Sequence, residues 1–309
     1  MKKILSAIAI IVAAVSCAQK QGPVTDVQTL ASPSGNMEMT FHLTEDGTPQ
    51  YALNYEGKQI ILPSNLGFEL RGVLKAQKIV FNNDGTISKE DRQPCNSFYD
   101  GFSVEGVETS SFDETWEPVW GEEEKIRNNY NELLVKLVQK STDRKMNIRF
   151  RLYNDGLGFR YEFPYQRTLS YFVIKEELTQ FALTGDHTAW WVPGDYDTQE
   201  YNFVESRLSE ISSKMEAAIN PNDSQTPFSM NGVQTSLQMR TDDGLYINIH
   251  EAALLDYPCM HLDLDPETFT FVSHLTPDAQ GWKGRMQTPC NTPWRTVQVA
   301  PSATAQLAS

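Results

Sequence analysis

At 309 residues, 40% hydrophobic and 11% aromatic, the chain carries enough apolar surface for one large β domain or two ordinary ones, and its mixed composition excludes disorder. Its 40 acidic residues against 26 basic give a net charge of −14, which repels phosphate backbones, and no basic stripe interrupts it, so nucleic-acid binding is excluded. Neutral sugars and cations remain compatible with that balance.

The N-terminus stands apart from the rest. Lys2 and Lys3 precede the apolar run ILSAIAIIVAAV and small residues up to Ser16-Cys17, so residues 1–17 read as an export signal, too short for a membrane span. The expected destination is extracytoplasmic: periplasmic, or anchored at the outer membrane. Cys17 after Ala-Val-Ser resembles a bacterial lipoprotein cleavage site, whose thiol would carry a lipid anchor; an ordinary peptidase cut after Ala18 is the alternative, and Ala14 stands where the lipoprotein pattern prefers a larger aliphatic residue. Residues 18–31 then form a polar tether.

From there, period-two alternation recurs between turn signals. Met37, Met39, Phe41 and Leu43 alternate up to the turn at 45–48, and Tyr51, Leu53 and Tyr55 follow. Ile148, Phe150 and Leu152 lead into Asn154-Asp155-Gly156, after which Phe159, Tyr161 and Phe163 alternate again, a hairpin signature. Val233, Thr235, Leu237 and Met239 predict one strand into Asp242-Asp243-Gly244, with Leu245, Ile247 and Ile249 returning. Met260, Leu262 and Leu264 precede a turn at 265–267, then Phe269 and Phe271. One helical insertion is expected at 205–219, where Leu208, Ile211, Met215 and Ala218 recur at helical spacing before Pro221. The fold class is therefore all-β, a large antiparallel sandwich.

Few short motifs carry chemistry. The sequence has no GxSxG, HExxH, P-loop or GxGxxG, and its five histidines show no metal spacing. Beyond Cys17 the cysteines are Cys95, Cys259 and Cys290, an odd number without CxxC spacing, which allows at most one disulfide and predicts a free buried thiol. His250 falls on the face opposite Ile247 and Ile249, which favours a surface histidine over a dyad with Glu251.

The stretch WWVPGDYDTQEY (190–201) is the densest. Pro193-Gly194 forces a turn, so Asp195, Asp197 and Glu200 share a loop whose oxygens suit a hard cation such as Ca²⁺, although it is not an EF-hand. Two other readings compete: the aspartates cap local amides while Trp190, Trp191 and Tyr196 fill a sandwich edge, or the aromatics form a platform for sugar rings. In FDETWEPVWGEEEKIRNNYNEL (112–133) the charges suggest a solvated face, and Trp116 and Trp120 suggest a ligand-facing or domain-packing edge.

These stretches, with RFRLYNDGLGFRYEFP, DDGLYINIHEAAL and MQTPCNTPWRT, resemble the N-terminal domain of glycoside hydrolase family 97 over residues 30 to 309. The resemblance implies a β-super-sandwich of the galactose-mutarotase-like kind at 32–300. In the family this precedes a catalytic (β/α)₈ barrel and a small C-terminal β domain. Its members are Ca²⁺-dependent exo-acting α-glycosidases, so the implied function is hydrolysis of starch and maltooligosaccharides. The catalytic carboxylates belong to the barrel, and none is assigned in this chain. The sandwich contributes one glutamate to the Ca²⁺ shell; by motif match it is Glu200. Residues 301–309 would begin a linker to a barrel that this sequence does not contain, which leaves enzyme activity of the chain alone uncertain. The implied partners are an α-glucan oligosaccharide and the barrel. A different reading is a free-standing carbohydrate-binding surface lipoprotein. A sandwich without its barrel should expose an apolar face, and the candidates are the tryptophans at 116–120 and 190–191 and the segment 286–296, with Trp294 and Arg295.

Overall fold

The computed structural model describes residues 26–72, 77–91, 96–220, 222 and 226–307. The signal segment, Cys17, residues 18–25 of the tether, and Cys95 lie outside them.

The alternating segments pair as antiparallel sheets. Among the described residues one sheet has eight strands, running from Gln28–Ala31 at one edge through Met37–Leu43 and Pro49–Tyr55 to Met260–Asp265 and Gly232–Gln234 at the other. A second, larger sheet runs from Val204–Arg207 through Thr188–Trp191, Tyr246–Ala252, Trp294–Ala300 and Arg144–Leu152 to the long outer strand Phe102–Trp116. Their inner faces meet through aromatic rings. Phe41 lies 5.8 Å from Phe150, Tyr51 5.0 Å from Phe159, and Phe159 6.3 Å from Phe181. Period two explains this packing: Met146, Ile148, Phe150 and Leu152 are all fully buried, while Lys145, Asn147, Arg149 and Arg151 between them face outward. Each such side chain contributes roughly 1.5–3 kcal/mol. The fold is the large antiparallel β-super-sandwich expected from the sequence.

The turns follow the residues that mark them. Gly47 has a φ of 79°, and a Cβ there would stand 2.6 Å from the Phe102 backbone, so only glycine lets the 44–48 turn pack against that strand. The 154–156 hairpin joins strands in the register Phe150↔Phe159.

Four expectations need correction. The last residues of the expected tether, Gln28–Ala31, form a strand paired with Met37–Leu43, because Leu30 reaches the core opposite Met39. The predicted strand 233–239 is two strands: Gly232–Gln234 in the eight-stranded sheet and Leu237–Arg240 in the larger one, with the chain crossing between sheets at 235–236. Residues 205–219 are helical only over Ile211–Ala218, with a 3₁₀ turn at Leu208–Glu210, since Val204–Arg207 is taken by edge pairing with Thr188–Trp191. Phe269 lies before its strand at a φ of 51°, while Phe271 is buried as expected. After the last strand a short helix, Ala303–Leu307, begins within the expected linker.

Candidate functional site

The segment after Trp191 leaves the sheet as an extended strap. Its antiparallel bridges are Pro193↔Val233 and Asp195↔Pro227, and the Gly194 amide donates to the Gly232 carbonyl at 2.9 Å. A Cβ at Gly194 would fall 2.3 Å from the Phe228 ring and one at Gly232 2.5 Å from it, so two glycines make room for that phenyl.

Asp195 turns inward and is 2% exposed. Its carboxylate accepts from the amides of Asp197 and Thr226, both at 2.8 Å, and from the Tyr201 hydroxyl at 2.9 Å. Burial opposes its charge, but these donors outweigh it and hold the carboxyl below its usual range. The Asp195 carbonyl accepts from His261 Nε2 at 2.9 Å and from Gln234 Nε2 at 3.0 Å, and the same amide reaches the Thr198 carbonyl. The Thr226 hydroxyl donates to Asp197 at 2.6 Å. Glu200 follows on this pinned loop, exposed, and among the described residues its carboxylate makes no hydrogen bond or ion pair.

The three acidic residues of the loop therefore do not converge. No group of three His, Cys, Asp or Glu able to hold a metal occurs among the described residues. The capping reading holds for Asp195. The platform reading of the tryptophan pair does not: Trp191 is fully buried with its indole donating to Ser206, and Trp190 stacks on Tyr246 and donates to Glu205.

Tyr196 sits differently. Its ring stacks with Phe228 at 5.7 Å and His274 at 5.8 Å, and its hydroxyl bonds His274 Nε2 at 2.7 Å. Lys283 Nζ reaches the same nitrogen at 3.3 Å; an ammonium only donates, so Nε2 is the acceptor and His274 is neutral. Burial first, then Lys283 and His261, push the His274 pKa down to about 3. Beside Tyr196 opens a cleft of about 520 Å³ whose wall includes Lys283, Trp282 and Arg285.

Two clusters were not foreseen. Arg295 is fully buried, donates twice to Glu177 at 2.9 and 2.7 Å, and reaches Glu251 at 2.7 Å. Tyr257 and Thr179 hydroxyls complete the Glu177 shell at 2.8 and 2.9 Å, and Glu251 also accepts the Met260 amide. Burial opposes the Glu177 charge, yet Arg295 keeps its pKa below the usual carboxylate value. A signal was present: Arg295 shares the phase of Val297 and Val299, and Glu251 that of Ile247 and Ile249. His250 is exposed on the other face, so no His250–Glu251 dyad forms. On the outer face, Arg149, Arg151 and Arg160 interlock with Glu132 and Glu162, and Trp294 lies between Arg151 and Arg160, 4.7 Å from each guanidinium.

Of the expected sticky segments, only 116–120 is bare. Phe102–Trp116 and Ile126–Gln139 form a long hairpin whose end carries Trp116, Val119 and Trp120, the last 89% exposed. Trp191 and Arg295 are buried and Trp294 is covered by arginines. Cys259 and Cys290 are free, half-buried thiols that burial pushes up to about 12 and about 11.

The family model described as glycosyl-hydrolase 97 N-terminal matches residues 30–309. A glycoside hydrolase family 97 enzyme from Pseudoalteromonas sp. strain K8, solved with acarbose, is 29% identical over 89% of this chain, with a TM-score of 0.69; the chain covers 36% of that enzyme. A variant of the same enzyme with panose superposes at 0.68, over 91% of this chain and 37% of the enzyme, also at 29% identity. A β-arabinopyranosidase, 17% identical with a TM-score of 0.67 over 89% of this chain and 40% of its own, shares the fold. The chain spans little more than a third of the family enzymes it matches. It belongs to glycoside hydrolase family 97, as an N-terminal β-sandwich domain of that family.

Proposed function

We propose that this chain is the sandwich portion of an exported, Ca²⁺-dependent, exo-acting α-glucosidase that hydrolyses starch-derived oligosaccharides, and that it supplies Glu200 as one oxygen ligand of the cation. One observation carries the reading. Glu200 alone among the loop's carboxylates is exposed and uncommitted, on a backbone fixed by Asp195, Gln234 and His261. A carboxylate is a suitable donor for a hard cation that takes six to eight oxygens, and one residue cannot fill that shell, so on this reading the barrel supplies most of the remaining ligands. Bound there, the cation would supply Lewis-acid and positioning chemistry to a sugar. The part of this chain is to hold Glu200 in place at the barrel mouth. Acarbose and panose in the family structures support an α-glucoside substrate.

The test uses the longer protein in which this chain is joined to its barrel. Chelation should abolish hydrolysis of panose and added Ca²⁺ should restore it, with the restoring concentration raised at least about tenfold in Glu200→Gln. Hydrolysis indifferent to chelation, or a Glu200→Gln variant restored at the wild-type concentration, overturns the proposal.

A further inference from the structure

The cleft beside Tyr196 is lined by two cationic side chains, Lys283 and Arg285, and by one carboxylate, Asp278. At about 520 Å³ it falls within the size range of small-molecule sites. At its wall Lys283 is 5% exposed, and its ammonium donates to the Leu275 carbonyl at 2.8 Å and to His274 Nε2 at 3.3 Å. An ammonium has three donors, so one is left, and among the described residues no carboxylate stands within ion-pairing distance. Arg285 directs Nε and Nη2 to Asp278 Oδ2 at 3.3 and 3.0 Å, with Nη2 also on Gln280, while Nη1 makes no hydrogen bond among the described residues. Trp282, with the Arg71 guanidinium 4.6 Å from its ring centroid, and Tyr196 add aromatic surface, and Thr276 a hydroxyl.

A buried cation without a direct ion pair is costly, and burial pushes the Lys283 pKa below its ordinary value although the more distant Glu176 carboxylate opposes the shift. An anion in the cleft would offset that cost. Two cationic heads with free N–H groups set the charge of the ligand, while indole and phenol faces with the acceptor oxygen of the Thr276 hydroxyl, whose proton goes to the Cys259 carbonyl, suit a polyhydroxylated ring.

We propose that this cleft binds an acidic sugar unit, a pyranose bearing a carboxylate or a phosphate ester, with Lys283 and Arg285 on the anion and Trp282 and Tyr196 flanking the ring. The site does not depend on the cation reading of Glu200.

Isothermal titration of the chain with glucuronate, glucose 6-phosphate, glucose and inorganic phosphate tests it. At least one of the two acidic sugars should bind about tenfold or more tighter than both glucose and inorganic phosphate, and the better of the two identifies the anion. Arg285→Gln, an exposed position that leaves folding intact, should weaken that binding about tenfold, and Lys283→Met at least as much. Trp282→Leu should remove the preference over inorganic phosphate. Glucose or inorganic phosphate bound as tightly as the better acidic sugar, no binding of either acidic sugar, or an Arg285→Gln variant of unchanged affinity would each overturn the proposal.

Discussion

Two regions of this sandwich handle charge in opposite ways. Around Arg295 the charges are paired inside the protein: Glu177 and Glu251 neutralise the guanidinium, Tyr257 and Thr179 donate to Glu177, and the Met260 amide donates to Glu251. Around the Val192–Tyr201 strap, the backbone is pinned as firmly, yet Glu200 and the Lys283 ammonium make no direct ion pair among the described residues. A closed network of this kind fixes the packing of the sheets. An open one, held on a rigid frame, is what remains available to a ligand. On the proposed reading, the difference separates a charge kept for folding from a charge kept for binding.

The contrast breaks most visibly at Arg295. Arg295→Met leaves two carboxylates buried without their cation, and should cost about 3–5 kcal/mol in urea unfolding; a loss below 1 kcal/mol would make the network incidental. Next comes the strap. Gly194→Ala drives a methyl into the Phe228 ring, and a loss of roughly 1–3 kcal/mol is expected, with faster proteolysis in the 193–201 loop. If the variant melts like the wild type, the strap is not held by that packing.

A pH experiment sharpens the comparison further. His274 is held neutral in the fold, with its pKa lowered from 6.5 to about 3. The unfolded chain binds the proton more readily, so the stability contributed by neutral His274 is complete above pH 6.5 and drains away as pH falls toward about 3. His274→Phe, which keeps a ring against Phe228, should flatten the dependence of stability on pH in that window. An unaltered slope would place the titration elsewhere. The smallest effect is expected at the hairpin end, where Trp120→Ser should leave unfolding within about 0.5 kcal/mol of wild type because the indole is exposed.

Much of the architecture was legible because period-two alternation and turn residues are local signals. Met37 to Leu43 and Ile148 to Phe163 fold as their pattern dictates. What sequence could not give was the sheet to which a strand belongs. Residues 233–239 keep one continuous alternation while their halves pair with Met260–Asp265 in one sheet and Tyr246–Ala252 in the other. The phase of Glu251 and Arg295 announced buried charge, but their meeting with Glu177 depends on contacts 44 and 118 residues apart in the chain. At the site, the position of Glu200 on a loop followed from Pro193-Gly194, whereas the inward turn of Asp195 rests on Thr226 and Tyr201, and the cationic cleft on Lys283, none of which a linear pattern assembles.

The central claim is that Glu200 is spare for the fold and required for the cation. Paired measurements on Glu200→Gln test it directly: thermal unfolding of this chain, and Ca²⁺ affinity of the longer protein with its barrel by isothermal titration. The account predicts a melting temperature within about 1 °C of wild type, as for an exposed side chain without partners, together with a Ca²⁺ affinity reduced about tenfold or more. Wild-type Ca²⁺ affinity in the variant, or a sandwich that melts well below the wild type, would contradict it.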